Sequence, residues 1–298
     1  MKEDKLVIQQ VGEEQYQGHS TRKRLYLELE KEVGIPIISY FTSFYYPVML
    51  EDSDADILEA ILKKCDLSKG FALLLSSPGG SGLAAERITN LCRSYSGMGK
   101  YEVIVPGKAK SAATMICLGA SKLIMSKTSE LGSVDPQITY VEDNQMKRFS
   151  LYNIVKSYED LFLKAVDTKG NLQPYLQQLT NYDSREIAEF RTALSLSEDI
   201  AIKALKTGML LGLSDKEIKR KIKDFLTPEK VKTHGRSIYA QDALNMGLNV
   251  EIRDLKEKIW SIIYELYFRL NNFVSTNNVA KCIESKVHSF PAKIKMKE

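Results

Sequence analysis

Short apolar runs alternate with helical patterns in the first half of the chain, and this alternation predicts an α/β fold. Residues 71–75 (FALLL) form a continuous apolar run, as is typical of a parallel strand buried on both faces. Residues 101–106 (YEVIVP) and 122–125 (KLIM) predict two further strands, and residues 84–93 and 111–119 predict the helices between them. Strand, helix, strand, helix and strand in succession indicate a parallel sheet with right-handed crossovers.

The remaining pattern divides the chain into three segments. Residues 1–33 are polar and charged and predict a mobile or partner-binding N-terminal arm. Residues 34–254 carry the strand and helix patterns, with a helical insertion at about residues 151–230. In residues 255–298, bulky apolar side chains interleave with Lys, Glu and Arg, which predicts an amphipathic C-terminal helix followed by a basic, frayed tail.

Composition and charge exclude several classes of protein. The 298 residues include 42 Lys and Arg against 38 Asp and Glu, a net charge of +4 that is too balanced to indicate a nucleic-acid partner. The N-terminus lacks the apolar core of a signal peptide, and the longest uncharged stretch, residues 34–50, contains two prolines and falls short of the roughly 20 apolar residues of a membrane helix. We therefore expect no integral membrane segment and a cytoplasmic location.

Cysteine and histidine usage gives no sign of a metal or cofactor. The four cysteines include no CxxC pair, and the three histidines are far apart in the sequence. A zinc site needs clustered ligands of these types, and scattered cysteines are more typical of buried, reduced thiols. We expect neither a metal nor a cofactor.

The first segment with chemical potential is the loop that follows the apolar run, residues 76–82 (SSPGGSG). The carboxyl ends of parallel strands face the crevice where α/β folds bind ligands. Two successive glycines, Gly79 and Gly80, allow backbone N–H groups to face outward without an obstructing Cβ. Such an N–H can stabilise the oxyanion of a tetrahedral intermediate. An ordinary turn between a strand and a helix would account for the same sequence equally well.

The second segment is the start of the small-residue helix, SAATMICLG. Ser111 in first position is either an N-cap or a nucleophile, because the helix dipole and free N–H groups favour developing negative charge there. The N–H of Ala112 would then supply the second half of an oxyanion hole, opposite Gly79 or Gly80. The absence of G-x-S-x-G around Ser111 argues against an α/β-hydrolase.

Five segments in a fixed order resemble a known family. They are DSDADILEAI, LLLSSPGGSGLAAERI, VPGKAKSAATMICLGASKLIM, SELGSVDPQI and THGRSIYAQDALNMGLNV. Together they resemble the serine dehydrogenase proteinase family, relatives of signal peptide peptidase A in the Clp-protease/crotonase superfamily. The resemblance covers about residues 40–250, and its most specific part is SPGG paired with a serine-led helix and followed by LGSVDPQ.

The resemblance implies a Clp-protease/crotonase-like core of repeated ββα units with additional C-terminal helices, assembly into a homo-oligomer, and serine peptidase activity on peptides or proteins. It assigns Ser111 as the nucleophile, and Gly80 and Ala112 as oxyanion donors. The chain departs from the family in having Ala112 and Ala113 where glycines usually follow the serine. Many relatives also begin with a membrane helix, which this sequence does not show.

The resemblance also suggests the general base. In signal-peptidase-like relatives the base is a lysine after the LGSVDPQ-type loop, and Lys156 (in SLYNIVKSYEDL) best matches that position, with Lys147 and Lys164 as lesser candidates. A lysine acts as a base only when desolvation lowers its pKa, and an ordinary solvated helix lysine fits Lys156 equally well.

A histidine is the competing base. His234 needs no large pKa shift to act near neutral pH, although a loop histidine that stabilises a turn is an equally simple interpretation. The triad histidine of Clp proteases would fall near Asp135, where the chain has none. Lys110 adjoins Ser111, and adjacent side chains diverge, which argues against Lys110 as the base.

The sequence therefore predicts a soluble serine endopeptidase with a Ser–Lys dyad. Two other functions remain open at this point. One is a catalytically inactive scaffold that keeps the fold and binds partners. The other is crotonase-type acyl-CoA chemistry, which uses the same oxyanion geometry but needs no nucleophilic serine.

Overall fold

A computed structural model of the protein describes residues 5–14, 18–97, 100–142, 145–227, 236–276 and 278–294. Their helices are α1 (Val7–Glu13), α2 (Ser20–Val33), α3 (Asp52–Leu62), α4 (Gly82–Tyr95), α5 (Ala112–Gly119), α6 (Leu151–Asp167), α7 (Gln173–Leu179), α8 (Ser184–Lys206), α9 (Asp215–Lys221), α10 (Lys223–Leu226), α11 (Ala240–Asn245) and α12 (Lys258–Phe273). Their strands are β1 (Ile37–Thr42), β2 (Phe71–Ser76), β3 (Tyr101–Val105), β4 (Lys108–Ala109), β5 (Lys122–Ser126), β6 (Glu130–Leu131), β7 (Gln137–Glu142), β8 (Gln145–Ser150), β9 (Ile238–Tyr239), β10 (Val250–Arg253), β11 (Val279–Ser285) and β12 (Ser289–Lys293).

A seven-stranded sheet forms the centre of the fold, in the order β10-β5-β3-β2-β1-β11-β12. The five strands from β10 to β1 are parallel, whereas β11 and β12 pair antiparallel. The predicted α/β class is confirmed, and every residue of β1 and β2 is buried, as expected for strands covered on both faces.

One ββα unit lies where the candidate site forms. In it, β3 is followed by the short strand β4 and then by α5. The strands β4, β6 and β9 form a small second sheet, and an isolated bridge joins β4 to the loop after β2. This second sheet therefore holds the start of α5 close to the loop that follows β2.

Alternate residues of the central strands enter two different cores. Tyr40 of β1 and Leu73 of β2 face the core that contains α3, α4, α5 and α8. Phe41 and Leu74 face the opposite core, in which α2 and α12 pack and Trp260 is buried. This period of two follows from the pleat of the strands.

The two ends of the chain differ from the expected arm and tail. Helix α2 buries Leu25, Tyr26 and Leu29 against the sheet, and residues 279–293 form the antiparallel hairpin β11–β12. The polar residues of these elements made them look like surface segments in the sequence, but some of these residues are paired inside the fold. Arg22 of α2 and Glu284 of β11 form an ion pair of 2.6 Å, and both side chains are fully buried.

Five helices, α6 to α10, lie between residues 151 and 226 of the described chain, and a hairpin precedes them. Short breaks at residues 168–172 and 180–183 separate α6, α7 and α8, and Ser214 forms a capping box at α9. The hairpin β7–β8 was not predicted, and its side chains are mostly exposed. Among the described residues, every helix is too short or too polar to cross a bilayer.

Candidate active site

The glycine loop after β2 is clamped by the backbone of Leu50. The N–H of Leu50 donates to the carbonyl of Gly79 at 2.8 Å, and the N–H of Ser81 donates to the carbonyl of Leu50 at 2.9 Å. Gly80 has a φ of 154°, and a Cβ at this position would overlap the Leu50 backbone. Glycine is therefore required here both by conformation and by space.

Ser111 occupies a strained position at the start of α5. Its φ is 52° and its ψ is −123°, a backbone conformation that serine rarely adopts. The side chain forms no capping hydrogen bond, so the N-cap interpretation has no support in the structure. Backbone strain of this kind persists where surrounding contacts enforce it, and it occurs often at active sites.

The two predicted loops meet in space. A Cβ built on Gly79 would lie 2.7 Å from the Ser111 Cβ and 3.0 Å from the Ala112 nitrogen. Only a glycine allows so close an approach. The structure thus brings the glycine pair, Ser111 and Ala112 together at one point.

The hydrogen-bonding pattern distinguishes the candidate oxyanion donors. The N–H of Gly79 donates to Ser77 Oγ at 3.1 Å and is therefore already engaged. The two hydrogen bonds to Leu50 use the Gly79 carbonyl and the Ser81 N–H. The N–H of Gly80, which lies between these groups, takes part in neither bond. Ala112 is the first residue of α5, where a backbone N–H has no partner within the helix.

A cavity of about 200 Å³ opens beside Ser111. Its lining residues are mostly apolar, and helix α8 supplies four of them, which the sequence did not indicate because they depend on how α8 packs on α5. Among the described residues that line the cavity there is no charged side chain. They are Gly80, Ser81, Gly82, Leu83, Ser111, Ala112, Met115, Val134, Pro136, Ala193, Leu196, Ser197 and Ile200.

The lysine candidates lie elsewhere. Lys156 on α6 is half exposed, and its Nζ lies 3.6 Å from Asp160 Oδ1. Together with Lys164 it lines a separate groove, and Lys147 on β8 is exposed. Lys156 and Lys164 therefore line a groove other than the cavity beside Ser111. His234 lies outside the described residues.

The ammonium group of Lys110, the residue before Ser111, is engaged by other groups. Its Nζ lies 2.9 Å from Glu130 Oε2 and donates to Ser237 Oγ at 3.1 Å and to the Leu131 carbonyl at 3.2 Å. Burial raises the pKa of Glu130, but the hydrogen bonds from Ser237 and Lys110 outweigh burial and lower it. This cluster anchors the residue before Ser111 to β6.

Sequence reasoning missed three residues behind the glycine loop: Leu50, Asp54 and Lys281. Lys281 of β11 lies 3.0 Å from Asp54 at the start of α3, four residues after Leu50. Acidic residues in the first turn of α3, Asp54 among them, suit a helix N-terminus. Nothing in the sequence indicated a buried lysine from the C-terminal segment as the partner of Asp54.

Comparison with known proteins identifies relatives over most of the chain. A sequence model of the family described as ClpP-like SDH-type serine proteinase matches residues 28–279. The uncharacterized protein MJ0137 of Methanocaldococcus jannaschii is 28% identical over 236 residues, which are 78% of this chain and 68% of that protein. The uncharacterized protein MJ1495 of the same organism is 37% identical over 107 residues, 36% of this chain and 32% of that protein.

Two solved structures are also similar. One is a serine-to-alanine mutant of 1510-N, a membrane-bound stomatin-specific protease, with a TM-score of 0.36, 14% identity, and coverage of 69% of this chain and 75% of that one. The other is a lysine-to-alanine mutant of the same protease in complex with a substrate peptide, with a TM-score of 0.32, 14% identity, and coverage of 74% and 93%. The family match confirms the resemblance that the five sequence segments carried.

Proposed function

The chain belongs to the ClpP-like SDH-type serine proteinase family, and on that basis we propose that it is a serine endopeptidase with Ser111 as its nucleophile. The observation that carries the proposal is the strained Ser111 beside the N–H groups of Gly80 and Ala112, which donate no backbone hydrogen bond within the part of the chain that the structure describes. A serine that merely capped α5 would need neither the strain nor the close approach of the glycine loop.

The reaction follows from this arrangement. Ser111 Oγ attacks the carbonyl carbon of the scissile bond, its proton passes to a base, and the N–H groups of Gly80 and Ala112 hold the oxyanion. The base then gives its proton to the leaving amine, and an ester joins Ser111 to the acyl half of the substrate. Water, deprotonated by the same base, hydrolyses this ester and restores the hydroxyl.

We propose Lys156 as the base, with His234 as the alternative. Helix α6 packs on α8 through a small satellite core that includes Val155 and through the ion pair of Glu159 with Arg191. Among the described residues, Lys156 forms an exposed ion pair with Asp160. Such a pair contributes little stability, so it opposes a new position of the side chain only weakly. The amine would reach Ser111 when α6 moves over the cavity or when a second copy of the chain presents it.

The cavity suggests the substrate. Its volume of about 200 Å³ suits one medium-sized side chain, and its lining offers apolar surface with no charge among the described residues. We propose that the residue on the carbonyl side of the cleaved bond is apolar and uncharged, such as leucine or methionine. A charged side chain would lose its hydration there without gaining a partner.

The test is hydrolysis of casein and of a fluorogenic peptide with leucine before the cleaved bond. Ser111→Ala is expected to abolish both activities, whereas Ser94→Ala, a change in an exposed serine of α4 that bonds only to the Asn90 carbonyl, should leave them at the parent rate. Equal activity of the Ser111→Ala variant and the parent would refute the assignment.

A second candidate is a protein that binds peptides without cleaving them. It is favoured by one observation, that the described lining of the cavity includes no basic side chain to accept the serine proton. It predicts that calorimetry detects binding of the same leucine peptide and that mass spectrometry recovers the peptide intact after long incubation. Cleavage products that depend on Ser111 would exclude it.

Self-association and location complete the proposal. The hairpin β7–β8 and helix α6 expose several apolar side chains, among them Val141, Met146 and Val166. We propose that these side chains pack against a second copy of the chain in a homo-oligomer, which mass photometry would detect. The cytoplasmic location stays a prediction from the sequence.

A further inference from the structure

A buried ion pair lies behind the glycine loop and joins the C-terminal hairpin to helix α3. Lys281 Nζ on β11 lies 3.0 and 3.1 Å from the two carboxylate oxygens of Asp54, and the side chains are 10% and 3% exposed. Tyr40 of β1 donates its hydroxyl proton to Asp54 Oδ2 at 2.6 Å. Lys281 also lies 3.6 Å from Glu51 Oε1. The lysine is outside residues 28–279, the part of the chain that the family model matches.

This pair is connected to the oxyanion loop through a short path of hydrogen bonds. Asp54 Oδ2 accepts the backbone N–H of Glu51 at 2.8 Å, which fixes the residue next to Leu50. Leu50 bonds in turn to the Gly79 carbonyl and to the Ser81 N–H, on both sides of Gly80. The C-terminal strand is therefore three contacts away from the donor of the oxyanion hole. The first joins Lys281 to Asp54, the second joins Asp54 to residues 50–51, and the third joins these residues to the glycine loop.

Gly80 lies so close to Leu50 that the two residues must move together. The Gly80 backbone packs so closely on Leu50 that no Cβ fits between them. A displacement of Leu50 would therefore displace the Gly80 N–H as well. An oxyanion donor acts only when it lies at hydrogen-bond distance from the developing charge, and a shift of about 1 Å can reduce a rate by roughly a hundredfold.

We propose that Lys281 is a positioning residue for catalysis. By neutralising and orienting the buried Asp54 carboxylate, it holds Leu50 and hence the N–H of Gly80 where the oxyanion forms. The inference rests on the proposed peptidase function, and it adds that the C-terminal hairpin is needed for the geometry of the active site as well as for stability.

A comparable pair on the same strand shows what a purely structural role looks like. Glu284 of β11 binds Arg22 of α2, and both side chains are fully buried. The further contacts of Glu284 are with Cys282 and Ser289, on the side of the sheet away from the glycine loop. Of these two ion pairs, the one formed by Lys281 is connected by hydrogen bonds to the loop that carries the oxyanion donor.

The test compares Lys281→Met with Lys122→Met. Lys122 is the matched control, because it is also a partly buried strand lysine between two carboxylates, Glu102 and Glu251, each 3.0 Å away. It begins β5, at the edge of the sheet opposite the active site. The readouts are kcat and KM per folded molecule, and amide hydrogen exchange in the segment of residues 77–83.

A double variant guards against loss of folding. Lys281→Met alone leaves the carboxylate of Asp54 buried without its ion-pair partner, which is strongly destabilising. Lys281→Met combined with Asp54→Asn leaves no buried charge, yet the path to Leu50 is still broken because the bond from Lys281 is gone. Tyr40→Phe, which removes one hydrogen bond to Asp54 and no charge, is expected to give a smaller effect in the same direction.

The proposal predicts that both Lys281 variants lower kcat by roughly tenfold or more, leave KM within about twofold, and accelerate exchange in residues 77–83. Lys122→Met should match the parent in all three readouts. Folded Lys281 variants with parental kcat and exchange, or an equal kcat loss in Lys122→Met, would overturn it. If the parent hydrolyses no peptide, the proposed function has failed, and hydrogen exchange alone then decides whether Lys281 holds the loop.

Discussion

The two halves of the candidate active site are built in opposite ways. The oxyanion half, which comprises the glycine loop and the start of α5, is fixed by backbone bonds, by close packing and by two clusters of buried or half-buried charges. The half that would carry the base, which comprises the hairpin β7–β8 and helix α6, exposes apolar side chains and holds Lys156 by one exposed ion pair.

This difference separates two requirements of serine peptidase chemistry. Stabilising an oxyanion demands donors that do not move when charge develops, and such rigidity comes from a buried scaffold. Proton transfer demands a base within hydrogen-bond reach of the hydroxyl, and a mobile or shared element can bring one there. We infer that a single chain already holds the oxyanion donors in place, and that a movement of α6 or assembly with a second copy brings the base to the hydroxyl.

The largest expected effect concerns the base. Lys156→Ala should lower kcat by roughly a hundredfold to ten-thousandfold, the usual contribution of a general base. Lys164→Ala is the control, because Lys164 lines the same groove on the same helix. Peptide hydrolysis measures kcat of both variants. Equal losses of kcat would show that activity depends on the groove as a whole and not on the amine of Lys156.

Mixing variants sharpens this result. If a second copy supplies the base, then Lys156→Ala and Ser111→Ala, each inactive alone, should regain part of the activity when combined. If α6 moves within one chain, the mixture should stay inactive. Absence of any effect of Lys156→Ala would instead direct attention to His234.

A smaller loss is expected for a change in the rigid half. Gly80→Ala forces a Cβ against Leu50 and moves the oxyanion donor, so kcat should fall by roughly a hundredfold to a thousandfold. Gly34→Ala is the matched control, since Gly34 also has a positive φ but lies in open space. It should cost about 1 kcal/mol of stability and leave kcat unchanged.

The sequence could predict the parts of the molecule that local pattern determines. The strand at residues 101–105 and the glycine loop opposite Ser111 follow from apolar runs, small residues and strand order. Strand β11 could not be predicted, because its polar Lys281 and Glu284 are neutralised by partners far away in the sequence. The α8 lining of the cavity was hidden for a similar reason, since it depends on packing between distant segments.

The cavity offers a test of specificity. Ala193→Phe would fill part of the space beside Ser111, so kcat/KM for a leucine peptide should fall by about tenfold relative to an alanine peptide. Thr192→Phe, an exposed position next to it on α8, should leave the ratio between the two peptides unchanged. An unchanged ratio in both variants would mean that this cavity does not hold the substrate side chain.

The smallest effect concerns the anchor of Ser111. The pKa of Glu130 is lowered below its ordinary value of 4.5, so its interactions stabilise the folded state above pH 4.5 and are lost as the pH falls through the lowered pKa. Glu130→Gln should therefore reduce stability by about 1 kcal/mol at pH 7, because the ion pair with Lys110 is mostly shielded from solvent. Thermal unfolding at a series of pH values should show the difference from the parent shrinking below pH 4.5; a constant difference would contradict this account.

We expect one strained serine, held beside preformed N–H donors, to be the reactive group. Labelling with a fluorophosphonate probe, followed by mass spectrometry of the labelled peptide, tests it most directly. Covalent modification is expected at Ser111, reduced in Gly80→Ala and absent in Ser111→Ala. Modification at a different residue, or none in a folded and assembled parent protein, would contradict it.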